Sequence, residues 1–147
     1  TETTPTVDFT VHNDGTVTHI STGLMWQVCS QGQTWNSGNC LTGTASTHTW
    51  QEALQTPITL NANSGYAGYS NWRLPNIKEL NSIAELSCYS PAINETIFPN
   101  TTIDEYWASS PTNSNDTLAG FVYFYNGGGS HSTRNTFKRV RLVRGGQ

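Results

Sequence analysis

The chain has 147 residues, enough for one domain that buries about 70 % of its unfolded surface, and a net charge of −3 with no DNA- or RNA-binding motif argues against a nucleic-acid partner. Only 12 % of residues are charged, whereas 22 Thr, 14 Ser and 14 Asn supply a surface of hydroxyls and amides, and 16 aromatic rings must fill a core or form an exposed binding face. With no apolar run of about 18 residues and no charged-then-apolar leader, neither a membrane span nor a signal peptide is expected, the look of a mature secreted domain.

Residues 1–6, "TETTPT", read as a linker or frayed end, and residues 7–147 as a single domain. "VDFTVHNDGTVTHI" alternates apolar and polar residues around Asn13-Asp14-Gly15, a turn signal that predicts a hairpin, and "GLMWQ" follows as a third strand. From Gln31 to His48 the residues are Gly, Ser, Thr and Asn without periodicity, so a loop is expected. Thr49 and Glu52 form a capping-box pattern that opens a short helix with Trp50, Ala53 and Leu54 inward, which Pro57 should soon end.

In "NWRLPNIKEL", Pro75 keeps Leu74 extended, Asn76 can cap a helix, and Glu79 stands three residues on, where its carboxylate can reach back to the cap. Ile77, Leu80, Ile83 and Ala84 repeat at helical spacing, so this second helix is expected to run from Asn76 to about Leu86. The density of able side chains at Trp72, Arg73, Leu74, Pro75, Asn76 and Glu79 is thus read as a structural joint. After a loop come three strand patterns, "YWASS", "LAGFVYFYN" and "KRVRLVR", the second turning through Gly127-Gly128-Gly129. Strands, two helices and strands joined by short turns imply an α+β domain with a mainly antiparallel sheet.

The motifs "TGLMWQ", "TW-EAL", "NWRLPNIKEL", "SPAIN-T-FP", "YWASSP" and "VRLVRGGQ", in this order between about Val7 and Gln147, resemble the family named after the C-terminal domain of the Legionella collagen-like adhesin, found on bacterial secreted and surface proteins. That resemblance implies a fold similar to C-type lectin domains and formylglycine-generating enzymes, with the first and last strands paired and two helices flanking the sheet. It implies an extracellular or cell-surface binding domain rather than an enzyme, with Trp72, Leu74 and Pro75 at a strand-to-helix corner, Arg73 paired there with a carboxylate, and Trp107 in the core. The formylglycine-generating relatives use cysteines late in the chain, and here none follows Cys88.

Cys29 and Cys40 bracket the Gly/Ser-rich segment, where a bridge contributes about 3 kcal/mol in the chain-entropy account. Cys88 can take either partner instead, and three reduced thiols remain the bland alternative. The spacings do not fit zinc. His12, His19, His48 and His131 stand beside no recognisable nucleophile motif, so no catalytic residues are assigned. No cofactor is expected. Asp104, Glu105 and Asp116 are the candidate oxygen donors for calcium, without the EF-hand pattern. Asn94, Asn100 and Asn115 fit the glycosylation triplet, which is incidental in a bacterial chain.

Two recognition surfaces suggest themselves. Tyr123, Tyr125, Asn126, His131, Arg134 and Asn135, among flexible glycines, suit a polar glycan or a protein ligand, and strand alternation leaves Tyr123 and Tyr125 exposed while Trp26, Trp72 and Leu80 are buried. The alternative is an anion site for sulfated glycans. Residues 117 onward carry five cations and no acid, a net +5 against −8 for the two cations and ten acids before them, and alternation sets Arg139 and Arg141, beside Lys138, on an outer face. The bland reading of those cations is a solvated face paired with acids. A structural or oligomerisation module that caps a stalk or pilus is the reading from a different class.

Overall fold

The computed structural model describes residues 1–112 and 116–145. It is an α+β arrangement with three antiparallel sheets and two helices among the described residues. The first hairpin forms as its turn signal demands: β1 (Phe9–Val11) pairs with β2 (Thr16–His19) with Val11 opposite Val17, and β2 pairs with β3 (Leu24–Gln27). Left-handed backbone falls at Asn13 and Gly15, with the Asp14 carboxylate accepting from the Thr16 N–H at 2.9 Å. Gly15 has a second reason to be glycine, since a Cβ there would stand 2.0 Å from the Tyr66 hydroxyl.

The segment expected to be loop contains a hairpin, β4 (Gln33–Asn36) and β5 (Asn39–Gly43). Its pairing is supported from outside by the bridge between Cys29 and Cys40, with Cα atoms 5.5 Å apart, and by Asn100, whose side-chain oxygen accepts from Cys40 N–H and whose carbonyl accepts from the Gln33 amide. Cys88 is free and exposed.

Helix α1 (Trp50–Ala62) starts on the Thr49–Glu52 capping box but does not stop at Pro57. Proline removes the bond to the Ala53 carbonyl, a cost of about 3 kcal/mol in an isolated helix. Tertiary contacts outweigh it: Pro57 is buried beside Ala53, and Asn61 donates to the Trp72 carbonyl at 2.8 Å and accepts from the Trp72 N–H at 3.0 Å, holding the last turn. Helix α2 (Ile77–Asn81) is shorter than its apolar spacing predicts. Leu80, Ile83 and Ala84 are buried as expected, but beyond Ser82 the chain turns so that Ala84 bridges Ile93 and the Glu85 side chain enters the interior.

Glu85 ties down Thr3 and Thr4 within the N-terminal segment. Its carboxylate accepts from the N–H and hydroxyl groups of Thr3, Thr4 and Ser87, at 2.7–3.0 Å. Burial acts to raise its pKa, and the bonds from Thr3, Ser87 and Thr4 outweigh burial, holding the group far below the usual carboxylate range.

The third sheet consists of β6 (Glu105–Pro111), β7 (Leu118–Tyr123) and β8 (Gly128–Thr133), in that order. Its two faces separate two cores. Tyr106, Ala108, Val122 and Phe124 pack with Trp26, Leu80, Ile83 and Phe98, whereas Trp107 and Ala119 pack with Trp72, Leu74, Ala53, Val140 and Leu142.

The C-terminal segment is not one regular strand. Only β9 (Val143–Arg144) is a strand, pairing with β3. Before it Lys138 bridges His48, Arg139 bonds Glu105 and Trp107, and the carbonyls of Val140 and Leu142 accept from Gln31 and Gln27. The first and last strands belong to one sheet, of order β1-β2-β3-β9, in which they form the two edges and the last strand pairs with β3. No helix among the described residues is long and apolar enough to cross a membrane.

Candidate functional site

Strand β7 places its residues by alternation. Val122 faces inward and is fully buried, while Tyr123 faces out and keeps 36 % of its surface exposed. Beyond the strand, Phe124 is fully buried, with its N–H on the Asp104 carbonyl, and Tyr125 is 43 % exposed. The turn into β8 is fastened by the Gly127 N–H on the Tyr123 carbonyl at 2.8 Å and the Gly128 N–H on the Asn126 side-chain oxygen at 2.9 Å. Asn126 is exposed, so the turn presents two rings and an amide on a rigid support.

The loop after α2 adds a third ring. The Ser90 and Ala92 N–H groups bond the Tyr125 and Phe124 carbonyls, both at 2.7 Å, laying this loop along the turn. Tyr89, 74 % exposed, thereby comes to 6.3 Å from the Tyr125 ring, which is itself 5.7 Å from Tyr123. Leu86, also exposed, packs on Gly127, where a Cβ would lie 2.7 Å from its methyl group and φ is +80°. A cavity of about 340 Å³ adjoins this surface, lined by Glu2, Tyr89, Ser90, Pro91, Asn94 and Glu95 among others. Three exposed rings in a row, with Tyr125 between Tyr89 and Tyr123, form an amphipathic platform that can stack on a sugar face or an apolar side chain. Tyr89 escaped sequence reasoning because nothing local marks it: its neighbour Tyr125 is 36 positions away and only the loop's backbone bonds join them.

The six residues expected to form one site do not come together. In the register of β7 with β8, Tyr123 stands opposite Gly128 and Leu118 opposite Thr133, so the hairpin has two distant ends. Tyr123, Tyr125 and Asn126 occupy the turn end. Arg134 and Asn135 lie beyond the other, roughly 20 Å away at about 3.3 Å per residue. His131 is exposed between them, opposite Gly120.

Nor does the outer basic face form. Lys138, only 4 % exposed, pairs with Glu105 and lies 4.4 Å over the Phe121 ring. Arg139 pairs with Asp104 at 2.9 Å and also donates to the Ala45 carbonyl. Arg141 is 1 % exposed: it donates to the Gln27 and Val28 carbonyls and to the Thr101 hydroxyl, with its guanidinium 4.8 Å over the Phe98 ring. Burial lowers its pKa, against the opposing influence of the Tyr106 hydroxyl. Alternation failed here because this segment is walled on both faces, so Val140, Arg141 and Leu142 are all interior.

The carboxylates proposed for calcium are also apart. Asp104 and Glu105 turn to different cations, while Asp116 precedes β7 at the end of the β6–β7 pair opposite to Glu105, which stands across from Tyr123. Among the described residues no three His, Cys, Asp or Glu side chains group for a metal. Asn94 is spent on Thr4, Thr6 and Thr96, and Asn115 lies outside the described residues.

The joint around Pro75 is built as its pattern implies. Asn76 and Glu79 exchange cap bonds of 2.8 and 2.9 Å, and Arg73 grips both Glu79 oxygens at 2.7 and 2.6 Å. The Arg73 bond, with help from the cap and despite partial burial, lowers the Glu79 pKa. Trp72 and Leu74 are buried. Of the histidines, His19 is stacked on Phe9 with its pKa lowered by burial against Asp8, and His48 lies 2.7 Å from the Ser46 hydroxyl, which also bonds the Gln31 carbonyl.

Residues 15–144 match the family described as the Lcl C-terminal domain. No curated protein matches the chain.

Proposed function

The chain belongs to the Lcl C-terminal domain family, and from that premise we propose that it is a non-enzymatic, adhesin-type recognition domain of a secreted or cell-surface bacterial protein, binding a glycan or protein ligand. The C-type-lectin-like arrangement is part of this reading. Its contact surface is the platform of Tyr89, Tyr123 and Tyr125 with Asn126. The single observation that carries it is the row of three exposed tyrosine rings, Tyr125 lying between Tyr123 and Tyr89, on a turn and loop braced by backbone bonds. Tyrosine supplies contact area at low entropic cost, its hydroxyl serves polar ligands, and a rigid platform loses little freedom on binding. No cation lines the adjoining cavity. A neutral glycan or apolar side chain stacked on the rings should therefore bind nearly independently of salt.

The test is a glycan array together with a panel of immobilised extracellular proteins, probed with the native chain, Tyr89→Ala and Tyr125→Ala. Each substitution should reduce binding to the selected ligand by about tenfold or more, the scale of a lost aromatic hot spot. Thermal stability should hardly move. Undiminished binding, or unfolding of Tyr125→Ala, refutes the platform; steep weakening with salt points instead to sulfated glycans on the cationic side chains.

A further inference from the structure

We propose that the groove between the start of α1 and the end of β8 is a second binding site, in which Arg134 takes an Asp or Glu carboxylate from an acidic segment of a protein partner. The groove encloses about 590 Å³ and is lined by Thr49, Trp50, Gln51, Leu54, Arg134 and Asn135. It lies at the far end of the β7–β8 hairpin from the tyrosine platform and is independent of it.

Arg134 is set in place before any ligand arrives. Its N–H bonds the Thr117 carbonyl, its carbonyl accepts from the Trp50 N–H, and its Nε donates to the Leu118 carbonyl, each at 3.0 Å. The guanidinium lies 4.3 Å over the Trp50 ring, whose own Nε1 is fixed to the Ala108 carbonyl at 2.8 Å. The stack and the Nε bond hold the plane of this groove-lining side chain, and among the described residues its two Nη groups have no hydrogen-bond partner.

The other cations of this half are occupied. Lys138 and Arg139 hold Glu105 and Asp104, Arg141 is buried on carbonyls, and Arg144 bonds Asn71 over the Tyr69 ring. Among the described residues no carboxylate pairs with Arg134. Glu52, the acid nearest in the first turn of α1, is spent on the Thr49 N–H.

A held guanidinium presents a fork that matches a planar carboxylate with two parallel bonds, and its prior ordering removes much of the entropic cost of binding. The flanking amides indicate what carries the carboxylate. Gln51 and Asn135 are exposed, and each offers a donating NH₂ and an accepting carbonyl oxygen, the complement of the C=O and N–H of a peptide unit. Leu54 and Trp50 supply apolar contact for a neighbouring side chain, and Trp and Arg are among the residue types enriched at interface hot spots.

The experiment titrates the full chain into a fluorescein-labelled heptapeptide with a central Asp-Glu pair, and into the same peptide with Asn-Gln, following anisotropy. The acidic peptide should bind about tenfold or more tightly, since only it completes the charge-assisted fork. Arg134→Lys, which keeps the charge and loses the fork, should cost about tenfold. Asn135→Ala, an exposed change that keeps the test decisive if Arg134→Lys does not fold, should cost about threefold for one lost neutral hydrogen bond. Tyr125→Ala should leave this binding unchanged while it weakens recognition at the platform by about tenfold or more, so the two sites fail separately. Equal affinity for the two peptides, or unaltered binding by Arg134→Lys or Asn135→Ala, overturns the site. Displacement of the peptide by glucuronate at concentrations where acetate has no effect assigns the groove to an acidic sugar and overturns the protein partner.

Discussion

Replacing Glu85 by Gln should loosen the N-terminal segment and cost about 2–4 kcal/mol, and the structure shows where that figure arises. The carboxylate accepts on both oxygens: Oε1 serves Thr3 and Ser87, and Oε2 serves the N–H and hydroxyl of Thr4. An amide must turn its NH₂ toward one of these sets. In the cheaper orientation the Thr4 N–H loses its acceptor, and Thr4 is 4 % exposed, so a buried donor is left unmade at about 1–3 kcal/mol. The remaining bonds lose their charge assistance, which adds about 1 kcal/mol more.

Urea denaturation near neutral pH measures the total, and amide hydrogen exchange at Thr3 and Thr4 measures the local loosening. Because Thr3, Thr4 and Ser87 hold the folded pKa far below its ordinary value, the contribution is complete above the unfolded pKa of about 4.3 and is lost as pH falls below it. The gap between native chain and Glu85→Gln should therefore be constant from about pH 6 to 8 and close progressively below about pH 4. Stability unchanged at neutral pH, or a gap that widens in acid, refutes the anchoring argument.

Asn76→Ala should lower stability by about 1 kcal/mol in the same assay while leaving binding at the tyrosine platform intact, as removal of a helix cap does. Cys29→Ser, opening the loop of sequence separation 11, should cost about 3 kcal/mol, and non-reducing peptide mapping of the native chain should recover Cys29 linked to Cys40 with Cys88 alkylated. Arg141→Ala should be severe, about 3–5 kcal/mol, because it strips donors from the Gln27 and Val28 carbonyls and opens a cavity against Phe98; a soluble, folded variant impaired only in binding would contradict the interior placement.

What the sequence determined by itself is what short-range chemistry determines. The caps at Thr49 and Asn76, the extended arrival at Pro75, the turn at Asn13 to Gly15 and the alternation of Phe121 to Tyr123 each depend on residues within a few positions of one another. In each a side chain satisfies its own neighbours' backbone, or the pleat sets its direction, whatever the rest of the chain does. The cystine belongs here in part: only ten residues separate its thiols, so the pairing was legible as a local closure, but the hairpin it fastens was not.

Only the tertiary structure decided where competing local choices were overruled. Pro57 stays inside α1 because Asn61 and Trp72 hold the last turn, and α2 stops early because Glu85 is more stable as an acceptor for residues some eighty positions away. Arg141, whose spacing from Arg139 put it on an outer face, is interior because its guanidinium finds enough carbonyls to be desolvated and elements pack on both sides of its segment. The site followed the same division. Exposure of Tyr123 and Tyr125 came from alternation, but adding Tyr89 and separating Arg134 and Asn135 required the register of a hairpin and the docking of a distant loop, contacts that no periodicity within a strand encodes.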